Sequence, residues 1–502
     1  MPHQFGPHRR RTSIVRLLAL ASLAVGSLAG TIVVDESDSS PDLQTALDAS
    51  GPGDRVLVLP GHYPGRFLVP AGVELTGRWG REVTTLDGEN LGITVRLGAG
   101  ALLQGFTITG GSGSGVRADI GFGATPVTLR HNVIVGNSNN SIGPSRNGGG
   151  AGGVLILEHN LIRDNNTTGR GGGAALLGCS GTATGNAFLN NQAGEDGGGL
   201  YIESPCSSPF QRTITNNVIA GNDTGGSGGG LYAYRSDADA FPVVTSNTIV
   251  GNTAGVAGGA CFQTYVWGTV PYPTTNSGRL TNNVISGNSS GGVLVTFYYG
   301  GAGYGFGPET TDNLFFDNGP FHLSGESAIG SDGNVVGDPL FEDAGADDYR
   351  LSPGSPAIDT GINISATPPT DHDGVPRPLD GDLDGSSLPD LGAYEERGEI
   401  GSLTLGADHK TVSWSPRAGA SAAHLYRGDM TALRTGGNYT QDPASVLSAN
   451  RWCDLTTNSL ADIDEPATGN AFFYLVTPLG TAEGYLGLDS ALQIRPNSNP
   501  CP

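Results

Sequence analysis

The acidic run DGDLDGSSLPD sets Asp380, Asp382 and Asp384 at alternate positions, with Gly385 directly after them. In a calcium loop, positions 1, 3 and 5 supply oxygen ligands, and a glycine at position 6 allows the sharp turn. The next acid, Asp390, falls at position 11, one short of the usual glutamate, so Asp371 or Asp373 would have to complete the shell. The expectation is a structural Ca2+ ion held by residues drawn from Asp380, Asp382, Asp384, Asp390, Asp371 and Asp373. The alternative is a solvated acidic loop.

A second set lies on glycine-led segments. Aligning GGGLY (Gly197–Tyr201), GGGLY (Gly228–Tyr232) and GGACF (Gly258–Phe262) places Tyr201, Tyr232 and Phe262 in one column, with Tyr234 two residues beyond Tyr232. Stacked aromatic rings with polar tips suit the faces of sugars, although they also serve as a packing ladder. The densest charge neighbourhood comprises Glu195, Asp196, Glu203, Arg235, Asp237 and Asp239, and the alignment pairs Glu203 with Tyr234 on adjacent repeats. A lyase needs a base near a sugar proton, and a hydrolase needs two carboxylates about 5–9.5 Å apart. Neither pattern repeats here, so no catalytic residue is assigned. The expected substrate-binding residues are Tyr201, Tyr232, Phe262, Tyr234, Glu203 and Arg235.

What must position these residues is a repeat. The motif Asn-x-(Ile/Phe)-x-x-Asn recurs seven times, opening at Asn132, Asn160, Asn186, Asn217, Asn247, Asn283 and Asn313. The steps between copies vary from 26 to 36 residues while the motif keeps its length. A constant core with elastic spacers describes a solenoid in which each copy is one turn and insertions loop outward. The apolar residue (Ile134, Ile162, Phe188 and their successors) reads as an inward strand residue, and asparagine suits the corners. Helical periodicity is absent, and 82 glycines would break long helices. The fold expected is an all-β, right-handed parallel β-helix of about ten coils, roughly 50 Å long at strand spacing.

Residues 1–30 read as a secretory signal, with Arg9, Arg10, Arg11 and Arg16 ahead of the apolar run Leu17–Leu28, which is too short to span a membrane. Pro41–Ser50 has helical spacing of Leu43, Ala46 and Leu47 and is expected to cap the open end of the solenoid within a domain spanning 31–336. Residues 337–397 are expected to form an acidic carboxyl-terminal cap. Between Asp338 and Glu396, 14 acids face only Arg350 and Arg377. With a net charge of −22, the chain is unsuited to nucleic acid or anionic membranes. Five cysteines suit export: Cys179 and Cys206 fall on neighbouring turns, Cys453 and Cys501 pair near the end, and Cys261, aligned with Leu200, Leu231 and Leu294, reads as a buried thiol.

Five stretches resemble known families. DPLFEDAGADDYRLSPGSPAIDTG (Asp338–Gly361), DHDGVPRPLDGDLDG (Asp371–Gly385) and DLGAYE (Asp390–Glu395) closely resemble the terminal region of bacterial choice-of-anchor, pectin-lyase-like β-helix proteins. TALDASGPGDRVLVLPGHYPGRF (Thr45–Phe67) resembles the start of the same superfamily, and 398–502, with Trp414 and FYLVTP (Phe473–Pro478), is similar to a fibronectin type III β-sandwich. The resemblance implies a bacterial protein that is secreted or held at the cell surface. It does not fix a reaction, because the fold hosts lyases, hydrolases, esterases and adhesins. The function expected is non-catalytic binding to polysaccharide or a cell-surface component. The alternatives are a polysaccharide lyase or glycoside hydrolase, or a purely structural surface or matrix protein.

Overall fold

The computed structural model describes residues 29–35, 40–118, 124–139, 148–149, 151–178, 181–204, 212–236, 241–266, 278–299, 307–324 and 333–502. The signal segment, apart from its last two residues, lies outside this set, as do Cys179, Cys206, Asp237 and Asp239.

Three long parallel sheets of 11, 10 and 11 strands, with a short five-stranded sheet at one corner, wind into a β-helix. The repeat sets the register. Ile134, Ile162, Phe188, Ile219, Ile249, Ile285 and Phe315 pair in order from coil to coil, and every one is wholly buried. The asparagines close the corners on either side of this column. Each opening Asn donates its side-chain amide to the next coil's Asn Oδ1, from Asn132 to Asn160 at 3.1 Å through Asn313 to Asn334 at 3.1 Å. The closing series runs likewise from Asn137 to Asn318. Each interior amide also donates to a backbone carbonyl, and its oxygen accepts a backbone N–H from the preceding coil. No water is needed, because the polar groups satisfy one another in the core.

A strand, Thr31–Val34, pairs with Arg55–Val58 before the helix Ser40–Asp48, so the helix is an insertion after the first strand. Leu43 and Leu47 plug the core, both wholly buried. Gln44 closes the sheet edge, exchanging side-chain bonds with the Leu68 amide at 2.9 Å and carbonyl at 3.3 Å. That pairing substitutes for the missing neighbour strand.

Residues 337–397 do not sit over the far end of the solenoid, where an end cap belongs. They run back along its flank as a strap. Leu351, Ala357, Ile358 and Leu391 pack on Val284 and Leu314, while Tyr349 and Ala393 pack on Leu189, Val218 and Ala220. Polar side chains of the coils anchor it: Asn282 bonds the Ile362 amide and carbonyl, Asn216 donates to Thr370 O, and the Thr248 hydroxyl accepts from Ala393 N. The segment is acidic in composition, yet apolar contact with outward side chains holds it there.

Residues 398–502 form two three-stranded antiparallel sheets around Val412, Trp414, Leu425 and Val476. Cys453 and Cys501 are bonded, as expected. Among the described residues no helix is long and apolar enough to cross a membrane.

Candidate functional site

Strands Ala174–Leu177, Leu200–Ser204, Leu231–Ser236, Ala260–Val266 and Val293–Tyr299 are neighbours in the ten-stranded sheet. Side chains alternate across a strand. Leu200, Ile202, Leu231, Ala233, Ala260 and Phe262 therefore point into the core, and Tyr201, Glu203, Tyr232 and Tyr234 point out. Register pairs Tyr201 with Tyr232 and Glu203 with Tyr234, as the repeat alignment expected.

Two expectations fail by one residue. Phe262 pairs with Ala233 and is wholly buried in the core, and the residue opposite Tyr232 is Cys261. The cause is Ala257, which adopts the left-handed φ of +52° that glycine holds at Gly171, Gly197 and Gly228. With alanine at the first position of the glycine element, aligning glycine on glycine shifts this strand by one. Cys261 is nonetheless the buried free thiol expected, and burial pushes it up to about 12. Arg235, next to Tyr234 in sequence, faces the opposite way. It stacks on Phe241 at 4.4 Å and donates to the Thr264 hydroxyl at 2.8 Å, so it does not converge with Glu203 and Tyr234.

A different arginine does. Arg170 donates to the Tyr201 hydroxyl at 3.0 Å, and that hydroxyl donates to Glu203 at 3.1 Å. The same guanidinium lies 3.1 Å from Glu195 and 3.7 Å from Asp196. The signal for Arg170 was present, since it precedes one glycine element and Asp196 precedes the next. Tyr201 and Tyr232 stack at 5.6 Å and are only 1 % and 4 % exposed. The glycine turns pack tightly on the strands that carry them: a Cβ on Gly197 would come within 3.0 Å of Tyr201 Cα, and one on Gly228 within 3.0 Å of Tyr232 Cβ. The column beside them, Leu177, Glu203, Tyr234, Gln263 and Thr296, is half-buried. Burial, then the Glu203 charge, raises the Tyr201 phenol, and burial likewise raises Tyr232. A phenol so raised holds its proton at neutral pH and is a poor base.

The acidic residues divide. Asp380 and Asp382 approach Asp359, which the spacing did not single out; one oxygen of each lies within 4.8 Å of the others. Burial pushes Asp359 up to about 6, against the lowering effect of bonds from Leu388, Asp382 and Gly381. Asp384 is exposed, and its carboxylate accepts from Ser386 N. Asp390 is buried and accepts from Asp359 N and Glu396 N. Asp371 and Asp373 line a cleft of about 440 Å³ between the strap and the carboxyl-terminal module, opposite Arg350, Arg397 and Arg417.

A family model described as "Right handed beta helix region" matches residues 91–270. With the three parallel sheets, it defines the class: a right-handed parallel β-helix. Among solved structures, the chain is similar to pectate lyase Pel9A (16 % identity, 74 % of this chain and 97 % of that one, TM-score 0.43). It is also similar to the A-module of the mannuronan C-5 epimerase AlgE4 of Azotobacter vinelandii (16 %, 61 % and 96 %, TM-score 0.25). A third is the pectin methylesterase of Aspergillus niger (12 %, 63 % and 92 %, TM-score 0.28). No curated protein matches by sequence.

Proposed function

We propose that this is an exported β-helix protein that binds polysaccharide, or another component of the cell exterior, on the outer face of its ten-stranded sheet, without catalysis. The observation carrying the reading is the Arg170–Tyr201–Glu203 network beside the half-buried Tyr234 and Gln263. It joins an aromatic surface to fixed charges while holding its one converging phenol protonated. Export is supported by the composition of residues 1–30 and by the Cys453–Cys501 bond. The carboxyl-terminal module, on this reading, is a fibronectin type III-like spacer or second contact.

The test is a glycan panel, including polygalacturonate, alginate and α-1,3-glucan, assayed for binding and for release of unsaturated or reducing ends. Tyr234→Ala combined with Glu203→Gln is expected to weaken binding about tenfold, or about 1.4 kcal/mol, with melting unchanged. End release would make the protein a lyase or hydrolase. A panel with no binding would favour the purely structural reading, which the burial of Tyr201 and Tyr232 supports.

Calcium belongs to the same proposal, at Asp380 and Asp382 with Asp359 added. Each carboxylate already accepts backbone N–H bonds, which orients it and leaves further lone pairs for a cation. Calcium should raise the melting temperature, and Asp359→Asn should abolish the shift. Melting curves that coincide with calcium and with chelator would exclude the ion.

A further inference from the structure

The carboxyl-terminal module is open along one side. One of its sheets runs Leu403–Leu405, Thr411–Trp414, Ser459–Ala461, and the other Asn450–Leu455, Ala422–Asp429, Phe472–Leu479, each in that spatial order. The short connection 456–458 joins Asn450–Leu455 to Ser459–Ala461, so those two edge strands share one side of the sandwich. Leu403–Leu405 and Phe472–Leu479 are the edges of the other side. Phe472–Leu479 reads FFYLVTPL, without a charged residue, and it pairs with Ala422–Asp429 alone. Such a strand invites a hairpin partner, but the chain turns away. Glu483 bridges only to Leu479, Gly484 N donates to Pro478 O at 2.8 Å, and the tail leaves for the opposite edge, where Cys501 joins Cys453.

The backbone beside that strand is bare. In an antiparallel ladder, successive residues turn their N–H and C=O groups to alternate sides. Met430 N donates to Ala471 O on the ladder side at 2.9 Å, and Pro478, which has no N–H, turns its carbonyl outward to Gly484. By alternation Phe472, Tyr474 and Val476 also face outward, and among the described residues no strand pairs with them there. The interior is uncovered on the same side. Leu403 lies opposite Trp414 and Leu405 opposite Val412, and residues opposite in a ladder share a face. Trp414 and Val412 are buried in the core, yet Leu403 and Leu405 are 38 % and 51 % exposed. On the facing sheet Phe472 and Tyr474, which share the core face with Val476, are only half-buried.

An unpaired edge is a template for another strand, and proteins usually blunt it with charge, proline or a bulge. Here Pro478 protects one end only. The strand that fits must be extended and uncharged, with apolar side chains at alternate positions to cover the core face. Phe472–Val476 itself meets that description. Turned about a two-fold axis at Tyr474, it meets its own copy antiparallel: Tyr474 opposite Tyr474, Phe472 opposite Val476, Phe473 opposite Leu475. The outward N–H and C=O groups then exchange bonds, and no charge faces a like charge, although the chain carries −22 overall. The same rotation turns the two Leu403–Leu405 edges towards each other beneath the joined sheet, where their leucines leave water. We propose that the chain pairs with a second copy of itself through the edge strand Phe472–Val476, fusing the two modules into one continuous sandwich. This pairing involves the module alone and does not depend on the groove at Tyr234.

Sedimentation equilibrium of the full chain over a range of concentrations should show a monomer–dimer exchange in the micromolar range, as a small interface gives. Phe473→Glu/Leu475→Glu sets like charges across the axis. Phe473→Lys/Leu475→Glu sets opposite charges there while removing the same apolar side chains. The first should dimerise at least about tenfold more weakly than the second, with melting of the dilute proteins confirming that both fold. Leu405→Ser, at a position already half exposed, should weaken the dimer about fivefold. Hydrogen exchange reads the edge without any substitution: the amides of Phe472, Tyr474 and Val476 should slow as concentration rises, while those of Phe473 and Leu475 stay protected throughout. A monomer at every concentration overturns the proposal. So does a dimer whose constant agrees within about twofold between the two charge variants, or one that leaves the edge amides unchanged. Edge amides that gain protection only when a different protein is added assign the edge to that partner and overturn self-pairing as well.

Discussion

Replacing Asn217 by alanine is expected to cost about 3–5 kcal/mol, a third or more of the stability of a typical domain. The residue is wholly buried, and the loss is spread over several groups. Its oxygen accepts from the Asn186 amide N–H at 2.9 Å and from the Asn186 side chain at 3.0 Å. Its nitrogen donates to Ala183 O and to Asn247 Oδ1. Alanine strands a donor and an acceptor on the main chain with no water in reach, at about 1–3 kcal/mol for each group left bare. Asn217→Asp keeps the acceptor but sets an oxygen against Asn247 Oδ1 and buries a charge, so it should be no better. Gln192→Ala, at an exposed position one strand away, should stay within about 0.5 kcal/mol. Urea unfolding compares the three. Were Asn217→Ala within about 1 kcal/mol of the parent, the ladder would follow from coil stacking without stabilising it.

The ladder was legible because the motif cannot vary. Both asparagines and the residue between them are fixed by the same corner and core, and spacers of any length leave that untouched. The glycine element was less legible, because a left-handed position usually marked by glycine is filled by Ala257, and the strand slipped by one. That slip put Phe262 on the outside and Cys261 in the wrong column. Arg170 could have been read from the residue before each glycine element, but charge density drew attention to Arg235, whose neighbour Tyr234 takes the outward side. The strap was the least legible element. Its composition is acidic, and its apolar residues (Tyr349, Ile358, Leu391, Ala393) are too scattered to show a period. Their partners Val218, Val284 and Leu314 look like ordinary strand residues. Docking between two irregularly spaced sets leaves no pattern in either.

One ionic cluster inside the strap gives its attachment a pH dependence. Arg377 Nε lies 2.7 Å from Glu395 Oε2, and both side chains are fully buried. The same guanidinium donates to Gly392 O at 3.2 Å and reaches Asn216 Oδ1 at 3.5 Å, tying the strap to the coils. Asp371 and Asp390 are buried alongside, so three carboxylates share one cation. Burial raises all three, Glu395 to about 7, and the neighbouring Glu395 charge raises Asp390 further.

Arg377→Met is therefore expected to cost about 3–5 kcal/mol at pH 8, because it leaves buried carboxylates without their counter-charge. Carboxyl groups raised in the folded state bind protons there that the unfolded chain does not bind. Their contribution to stability is present in full below the unfolded value near 4 and is lost as pH rises through about 7 for Glu395. Removing the arginine raises these groups further, so the variant should gain more than the parent as pH falls from 8 to 5. The difference between the two should narrow accordingly. His131 and His159, both lowered, titrate towards the same window with the opposite sign, but they are common to parent and variant and cancel in the difference. Asp348 and Asp429, which bonding to Arg350 and Ser448 holds low, act only at more acidic pH. Hydrogen exchange across 337–397, with urea unfolding at pH 5 and 8, reads both the strap and the whole. Arg377→Met/Glu395→Leu, which removes cation and partner together, should recover part of the loss at pH 8. An equal penalty at both pH values would instead assign the effect of Arg377 to its bonds with Gly392 O and Asn216, with charge playing no part.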